Sequence, residues 1–226
     1  MAVPRIALIH ALPDSIEPAN TAFAELWPEA FRFNLLDDAL ARDLAAIGGV
    51  INMQINSRII DLSRYALAAG ANGILYTCSA FGQSIKAAGL LAPVPVLRPN
   101  EAAVDAALDA GPRIALLATF LPTVGMMKAE VEARAQERKL QPSIEARHVP
   151  DALEALQSGR AEEHDALIAK AAAELPPVDS VVLAQFSMTR AAHAIAPVSG
   201  RKVITTPGSA IVKLKGLLAG KAAAAE

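Results

Sequence analysis

The chain contains one cysteine, Cys78, in the stretch Gly73-Ile-Leu-Tyr-Thr-Cys-Ser-Ala-Phe-Gly82. Ile74, Leu75 and Tyr76 lead through Thr77 into Cys78, Ser79 and Gly82, and a helical pattern follows from Gln83 to Leu91. This reads as a buried strand, a short turn and a helix, with the thiol at the junction. Unpaired backbone N–H groups and the positive end of the helix dipole favour thiolate there, so a lowered thiol pKa is expected. A thiolate can remove a proton from a carbon beside a carboxylate, and a thiol can return one. A lone cysteine is otherwise a small buried hydrophobe. Its place between two hydroxyls at a strand end favours the chemical reading.

Hydroxyls at other strand ends extend this pattern. Thr77, Ser79, Thr119, Ser187 and Thr206 all stand where apolar runs give way to helical ones. Such groups, with helix-start N–H donors, bind carboxylates and stabilise the enediolate formed when a proton leaves the α-carbon. Each is equally at home as an ordinary N-cap. His10 closes the first apolar run and is a further candidate, as general acid, anion contact or structural residue. His148 ends another apparent strand. His164 and His193 fall in helical stretches, and Glu162-Glu-His-Asp165 reads as a solvated helix surface, so no metal site is expected. The sequence has no Gly-rich phosphate loop, His-Glu-x-x-His or Gly-x-Ser-x-Gly motif.

The elements that position these residues come in two rounds. Arg5-Ile-Ala-Leu-Ile-His10 recurs 108 positions on as Arg113-Ile-Ala-Leu-Leu-Ala118, and Gly73 to Cys78 recurs 107 positions on as Ser180 to Gln185. Each half reads strand, helix, strand, helix, strand, helix, strand, with a long helix predicted from Asn52 to Ala69 and short strands at Val94–Leu97 and Lys202–Thr205. Alternating helices and continuously apolar strands predict an α/β fold of two similar lobes, each a short parallel sheet covered by helices. The expected lobes are residues 1–98 with 207–226, carrying Cys78, and residues 99–206. A pseudo-twofold would then set the active site in the cleft between them. The last helix is expected over Pro207 to about Leu218, with a frayed tail from Gly220.

Composition narrows the partners. Hydrophobic residues make up 53% and aromatics 4%, so the core must be aliphatic. A net charge of −2 with interspersed signs argues against nucleic acid. The apolar run Ala87 to Leu97 is too short and too proline-rich to span a membrane. One cysteine allows neither an internal disulfide nor a Cys-rich zinc site, and a strand beginning at Arg5 leaves no room for a signal peptide, so a cytoplasmic protein is expected. The oligomeric state is left open, a homo-oligomer included.

Thr77-Cys-Ser-Ala-Phe-Gly82 after an apolar strand, Pro99-Asn-Glu-Ala102, Leu117-Ala-Thr-Phe-Leu-Pro-Thr123 and Val181-Val-Leu-Ala-Gln-Phe-Ser-Met188 together resemble the aspartate/glutamate racemase superfamily. That group includes aspartate, glutamate and hydantoin racemases, maleate isomerase and arylmalonate decarboxylase. The resemblance covers Arg5 to about Leu218 and implies two α/β lobes, an active site between them and no cofactor. It also implies two cysteines, one per lobe, as base and acid on opposite faces of the α-carbon. This chain keeps Cys78 but reads Gln185-Phe-Ser187 at the second position, and neither an amide nor an unassisted serine moves protons readily near neutral pH. The expectation is therefore a cofactor-independent, racemase-like isomerase using one thiol at the α-carbon of a small carboxylate such as an amino acid, hydantoin or dicarboxylate. Alternatives are a decarboxylase of malonate-type acids, a thiol hydrolase pairing Cys78 with His10, and a non-catalytic carboxylate sensor.

Overall fold

The structure, a computed structural model, describes residues 3–199 and 201–223. It divides into two compact units, Met1–Pro99 with Ala210–Glu226, and Asn100–Ser209. The first unit runs β1 (Arg5–His10), α1 (Ile16–Leu26), β2 (Phe31–Leu36), α2 (Leu40–Ala46), α3 (Met53–Ala68), β3 (Gly73–Tyr76), α4 (Gly82–Leu91) and β4 (Val96–Leu97). Its four strands are parallel in the order β2-β1-β3-β4.

The strand sequences follow from that order. β1 and β3 are central and covered on both faces, so Ile6 to Ile9 and Ile74 to Tyr76 are all buried, as continuous apolar runs require. β2 is an edge strand and exposes Phe31 and Leu36. β4 holds only Val96 and Leu97 of the four residues predicted, because Pro93 and Pro95 have no N–H to give a ladder.

α3 is capped by the Asn52 side chain, which accepts from the Ile55 N–H at 2.9 Å, and it buries Ile55, Ile59, Ser63 and Ala66 along one face. Its chain leaves through Gly70 at φ +80°, a conformation favouring glycine. α2 was not anticipated. Its two core residues, Leu40 and Leu44, are a single helical repeat, too short a period to stand out between the Asp37-Asp38 and Gly48-Gly49 breaks.

The second unit runs α5 (Glu101–Ala110), β5 (Arg113–Ala118), α6 (Leu121–Glu137), β6 (Ser143–His148), α7 (Ala152–Gln157), α8 (Ala161–Ala173), β7 (Ser180–Leu183), α9 (Ala192–Ser199) and β8 (Lys202–Thr205). Its sheet repeats the first, parallel in the order β6-β5-β7-β8. Two cores flank it: Ile114, Leu116, Ala118 and Val182 pack with α5 and α6 residues, while Ala115, Leu117, Val181 and Leu183 pack with residues of α7 and α8 and with Ile195 of α9. Alternate residues of one strand thus serve opposite faces.

α10 (Thr206–Ala223) follows β8, and from Ala210 it belongs to the first unit. A Cβ on Gly73 would lie 2.9 Å from Leu214 Cδ1, so this glycine lets α10 close directly on β3. The helix runs five residues past the Leu218 end expected for it, and residues 224–226 of the expected tail lie outside the described residues. Among the described residues, no helix is long and apolar enough to cross a membrane.

The repeat extends to the entry of each sheet. The Arg5 N–H donates to Asn72 Oδ1 at 2.8 Å, and the Arg113 N–H donates to Asp179 Oδ2 at 2.9 Å. In both halves, the residue just before the third strand clips the start of the first.

Candidate active site

In both sheets the strand order reverses between the first and third strands. Connections leaving these two strands diverge to opposite faces, and ligand crevices of α/β sheets open at the carboxyl ends of such pairs. In the first unit those ends carry His10 and Thr77-Cys78-Ser79. In the second they carry Thr119-Phe120 and Ala184-Gln185.

Cys78 is extended, at φ −119° and ψ 121°, and precedes one 3-10 turn, Ser79–Phe81, before α4 begins at Gly82. The helix therefore starts four residues beyond the thiol and not directly at it. Cys78 is half-buried against the core containing Ile74, Tyr76, Phe81 and Ile85. Burial pushes its thiol pKa up, and a hydrogen bond from the Ala80 N–H offsets this only in part. This reverses the lowered pKa expected from sequence: apolar surroundings outweigh the helix start, and the thiol is the favoured form near neutral pH.

The strand that delivers Cys78 is pinned from beneath. Tyr76 donates its hydroxyl to the Ile59 carbonyl at 2.7 Å and accepts from Ser63 at 2.7 Å. Burial pushes the Tyr76 hydroxyl pKa up to about 12, so it stays a donor throughout the physiological range.

His10 is completely buried and joins three polar side chains. Its Nε2 lies 3.0 Å from Asn34 Oδ1; its Nδ1 lies 2.9 Å from Ser15 Oγ and 3.0 Å from Thr77 Oγ1. The Asn34 amide nitrogen donates onward to Asn20 Oδ1 at 3.5 Å, which leaves Asn34 Oδ1 as an acceptor. His10 is then the Nε2–H tautomer, and Nδ1 accepts from a hydroxyl. Ser15 and Thr77 are 2.9 Å apart, completing a triangle of polar atoms, and Ser15 also reaches the Leu12 carbonyl at 2.8 Å.

Burial lowers the His10 pKa, with the Asn34 hydrogen bond opposing it, so the ring is neutral at pH 7. Both ring nitrogens are committed, and neither serves Cys78 as a base. This geometry gives no support to a Cys78–His10 hydrolase pair. Ser15 and Asn34 were not among the residues singled out by sequence. The available signal for Asn34 was a polar residue within the otherwise apolar Phe33-Asn34-Leu35.

A group whose folded pKa is depressed stabilises the protein above its unfolded pKa and withdraws that stability as pH falls toward the folded value. For His10 the ordinary value is 6.5. Wild-type melting temperature is accordingly expected to fall as pH drops below about 6.5, with a smaller decline in His10→Gln. Equal pH slopes in the two proteins, measured by scanning calorimetry, would contradict this assignment.

In the second unit, three donors meet one oxygen. Gln185 Oε1 accepts from the Thr119 N–H at 2.7 Å, from Thr119 Oγ1 at 3.0 Å and from the Phe120 N–H at 3.3 Å. The pairing Ile6↔Gly73 in one sheet corresponds to Ile114↔Ser180 in the other, so Gln185 occupies the register of Cys78. His148 donates from Nε2 to the Thr119 carbonyl at 3.3 Å.

The remaining candidates divide by availability. Ser79 and Ser187 are half-buried, and no hydrogen bond engages either hydroxyl among the described residues. Thr206 is completely buried with an unpartnered hydroxyl, while its neighbour Thr205 caps α10 by accepting from the Gly208 N–H at 3.3 Å. Glu162 to Asp165 is not wholly solvated as expected: His164 is fully buried, with Nδ1 on Asp165 at 2.8 Å, and Asp165 also takes Arg190 at 2.8 Å. Among the described residues, no group of three or more His, Cys, Asp or Glu could hold a metal.

The sequence model of the Asp/Glu/hydantoin racemase family matches residues 28–214. A search of curated proteins returns no significant match. Among solved structures, the chain is similar to an aspartate racemase homologue from Pyrococcus horikoshii OT3, with TM-score 0.71 and 14% identity over 96% of this chain and 100% of that one. It is similar to allantoin racemase from Klebsiella pneumoniae, with TM-score 0.70 and 19% identity over 96% and 88% of the two chains. A mutant of arylmalonate decarboxylase in a sulfate-associated form gives TM-score 0.69 and 16% identity over 96% and 94%. Identities this low speak to the fold alone; the family model speaks to ancestry over most of the length. A chain with this duplicated α/β architecture and this match belongs to the Asp/Glu/hydantoin racemase family, a family of racemase-like enzymes.

Proposed function

We propose that the protein is a cofactor-independent, racemase-like isomerase that moves a proton at the α-carbon of a small carboxylate, with Cys78 as the proton carrier. The observation that carries this reading is the lone thiol at the carboxyl end of β3, at the switch point of its sheet and beside the uncommitted Ser79 hydroxyl. A carboxylate held by hydroxyl and backbone donors accepts the electron pair left on the α-carbon as an enediolate. Ser79, beside the thiol in the same unit, is a hydroxyl free to bind such an oxygen. Thr77 and His10 act through each other and position the β3 end, while Thr119 is engaged by Gln185. A reducing, cytoplasmic setting belongs to this reading, because the thiol must remain unoxidised.

A second reading follows from the raised thiol pKa. A resting thiol is better suited to giving a proton than to taking one. In a decarboxylase of malonate-type acids, the bond from the α-carbon to one carboxylate breaks, carbon dioxide leaves and the electron pair stays as an enediolate. The Cys78 S–H proton then passes to carbon, and water restores the thiol.

Mono- and dicarboxylates that raise the melting temperature should be followed in deuterated water by proton NMR and assayed for carbon dioxide. Loss of the α-hydrogen signal without gas supports the isomerase, and gas release supports the decarboxylase. Stabilisation with neither result would overturn both and leave a carboxylate-binding protein.

A further inference from the structure

Gln185 stands in register with Cys78, and its side chain is far from idle. Its amide oxygen receives three hydrogen bonds, two from consecutive backbone N–H groups and one from the Thr119 hydroxyl. Neutral carbonyl oxygens have two lone pairs and are usually satisfied by one or two donors. Three donors converging on one oxygen is the arrangement by which proteins hold a carboxylate or enediolate oxygen. The two backbone N–H groups fix which end of the amide is which, since an Nε2 group there would confront two donors that cannot accept. Thr119 is buried to 3% exposure, so without Gln185 its N–H and hydroxyl would lose their partner in a poorly solvated place.

We infer that Gln185 is a specificity-determining residue that acts as an internal ligand: its amide oxygen fills the oxoanion cradle of Thr119 and Phe120. Its Nε2 group makes no hydrogen bond among the described residues, so unit two offers amide N–H donors where an empty cradle would offer a carboxylate-binding one. The inference deepens the proposed carboxylate chemistry and rests on it for its meaning in substrate selection. It also explains why the Thr119 hydroxyl, read from sequence as a substrate contact, is not free.

The test reads stability and not turnover, so its failure is distinct from failure of the Cys78 chemistry. In Gln185→Ala the cradle loses its occupant, and the melting temperature is expected to fall by about 2–6 °C. Acetate or formate, compared with chloride at equal ionic strength, should restore part of that loss in Gln185→Ala and leave wild type unmoved. Gln185→Glu places an isosteric carboxylate on the same donors, which lowers its pKa. The resulting stability is present above the ordinary glutamate pKa and lost as pH falls through the lowered one. Its melting temperature relative to wild type should therefore decline between pH 7 and pH 3.

The inference is overturned if acetate shifts wild type and Gln185→Ala equally, or if Gln185→Ala melts like wild type. If Gln185→Ala does not fold, Gln185→Glu carries the test, and a melting difference from wild type that is constant with pH overturns it.

Discussion

Cys78→Ser is expected to lower turnover by about 10²- to 10⁴-fold while the protein still folds, the range spanned by loss of a positioned proton-transfer group. Serine keeps the size and the hydrogen bond from Ala80, but its hydroxyl neither ionises nor exchanges protons usefully near pH 7. Because Cys78 is half-buried at the margin of its core, the substitution should cost only about 1 kcal/mol of stability. The pH profile separates the two readings. If thiolate removes the α-proton, the rate rises with pH and keeps rising beyond the ordinary thiol range, since burial has pushed the pKa up. If the thiol protonates a carbanion, the rate is level at neutral pH and falls where that raised pKa is passed. A Cys78→Ser protein with wild-type turnover on a substrate the enzyme converts would remove Cys78 from the chemistry.

The second large effect concerns His10. His10→Ala removes an imidazole with no solvent exposure and leaves Asn34 Oδ1, Thr77 Oγ1 and Ser15 Oγ without their shared partner. A cavity and unsatisfied polar groups together are expected to cost about 3–5 kcal/mol, measured by urea denaturation. That is a large share of the ~5–15 kcal/mol by which a protein is typically stable. Activity should fall as well, because Thr77 directly precedes Cys78 and loses its anchor. His10→Gln, which can restore one donor and one acceptor, should recover much of the stability and part of the turnover. A His10→Ala protein as stable as wild type would contradict the buried network, and one that loses activity with no loss of stability would point instead to His10 as a proton carrier.

Much of the architecture was legible in the residues because it is built twice from one pattern. The continuous apolar runs at Ile6–Ile9, Ile74–Tyr76, Ile114–Ala118 and Val181–Leu183 mark central strands of parallel sheets, and all are buried. The repeat alone identified Gln185 as the counterpart of Cys78, and the strand registers place it there. What the residues did not disclose was tertiary. The thiol's pKa depends on the apolar core it packs against, which draws on β1 and α3, distant in sequence, whereas the helix-start argument used only local residues. His10 depends on Ser15 and on Asn34 across a strand pair, and Asn34 carries no motif. Thr77 and Thr119 stand at strand ends, but a sequence cannot show that each hydroxyl is already engaged, one by His10 and the other by Gln185. His164 was hidden for a similar reason: three acidic neighbours suggested solvent, yet its position on α8 turns it into the protein, with Asp165 as its partner and Arg190 in turn on Asp165.

The proposed function turns on proton delivery from one face by a single thiol. The most direct measurement is conversion of a substrate carboxylate in deuterated water, with the α-carbon of the product analysed for both isotope and configuration. Wild type is expected to place one deuterium at the α-carbon in a single configuration, and Cys78→Ser to place it about 10²- to 10⁴-fold more slowly. Deuterium delivered equally to both faces, or incorporation as fast without the Cys78 thiol, would contradict that proposal.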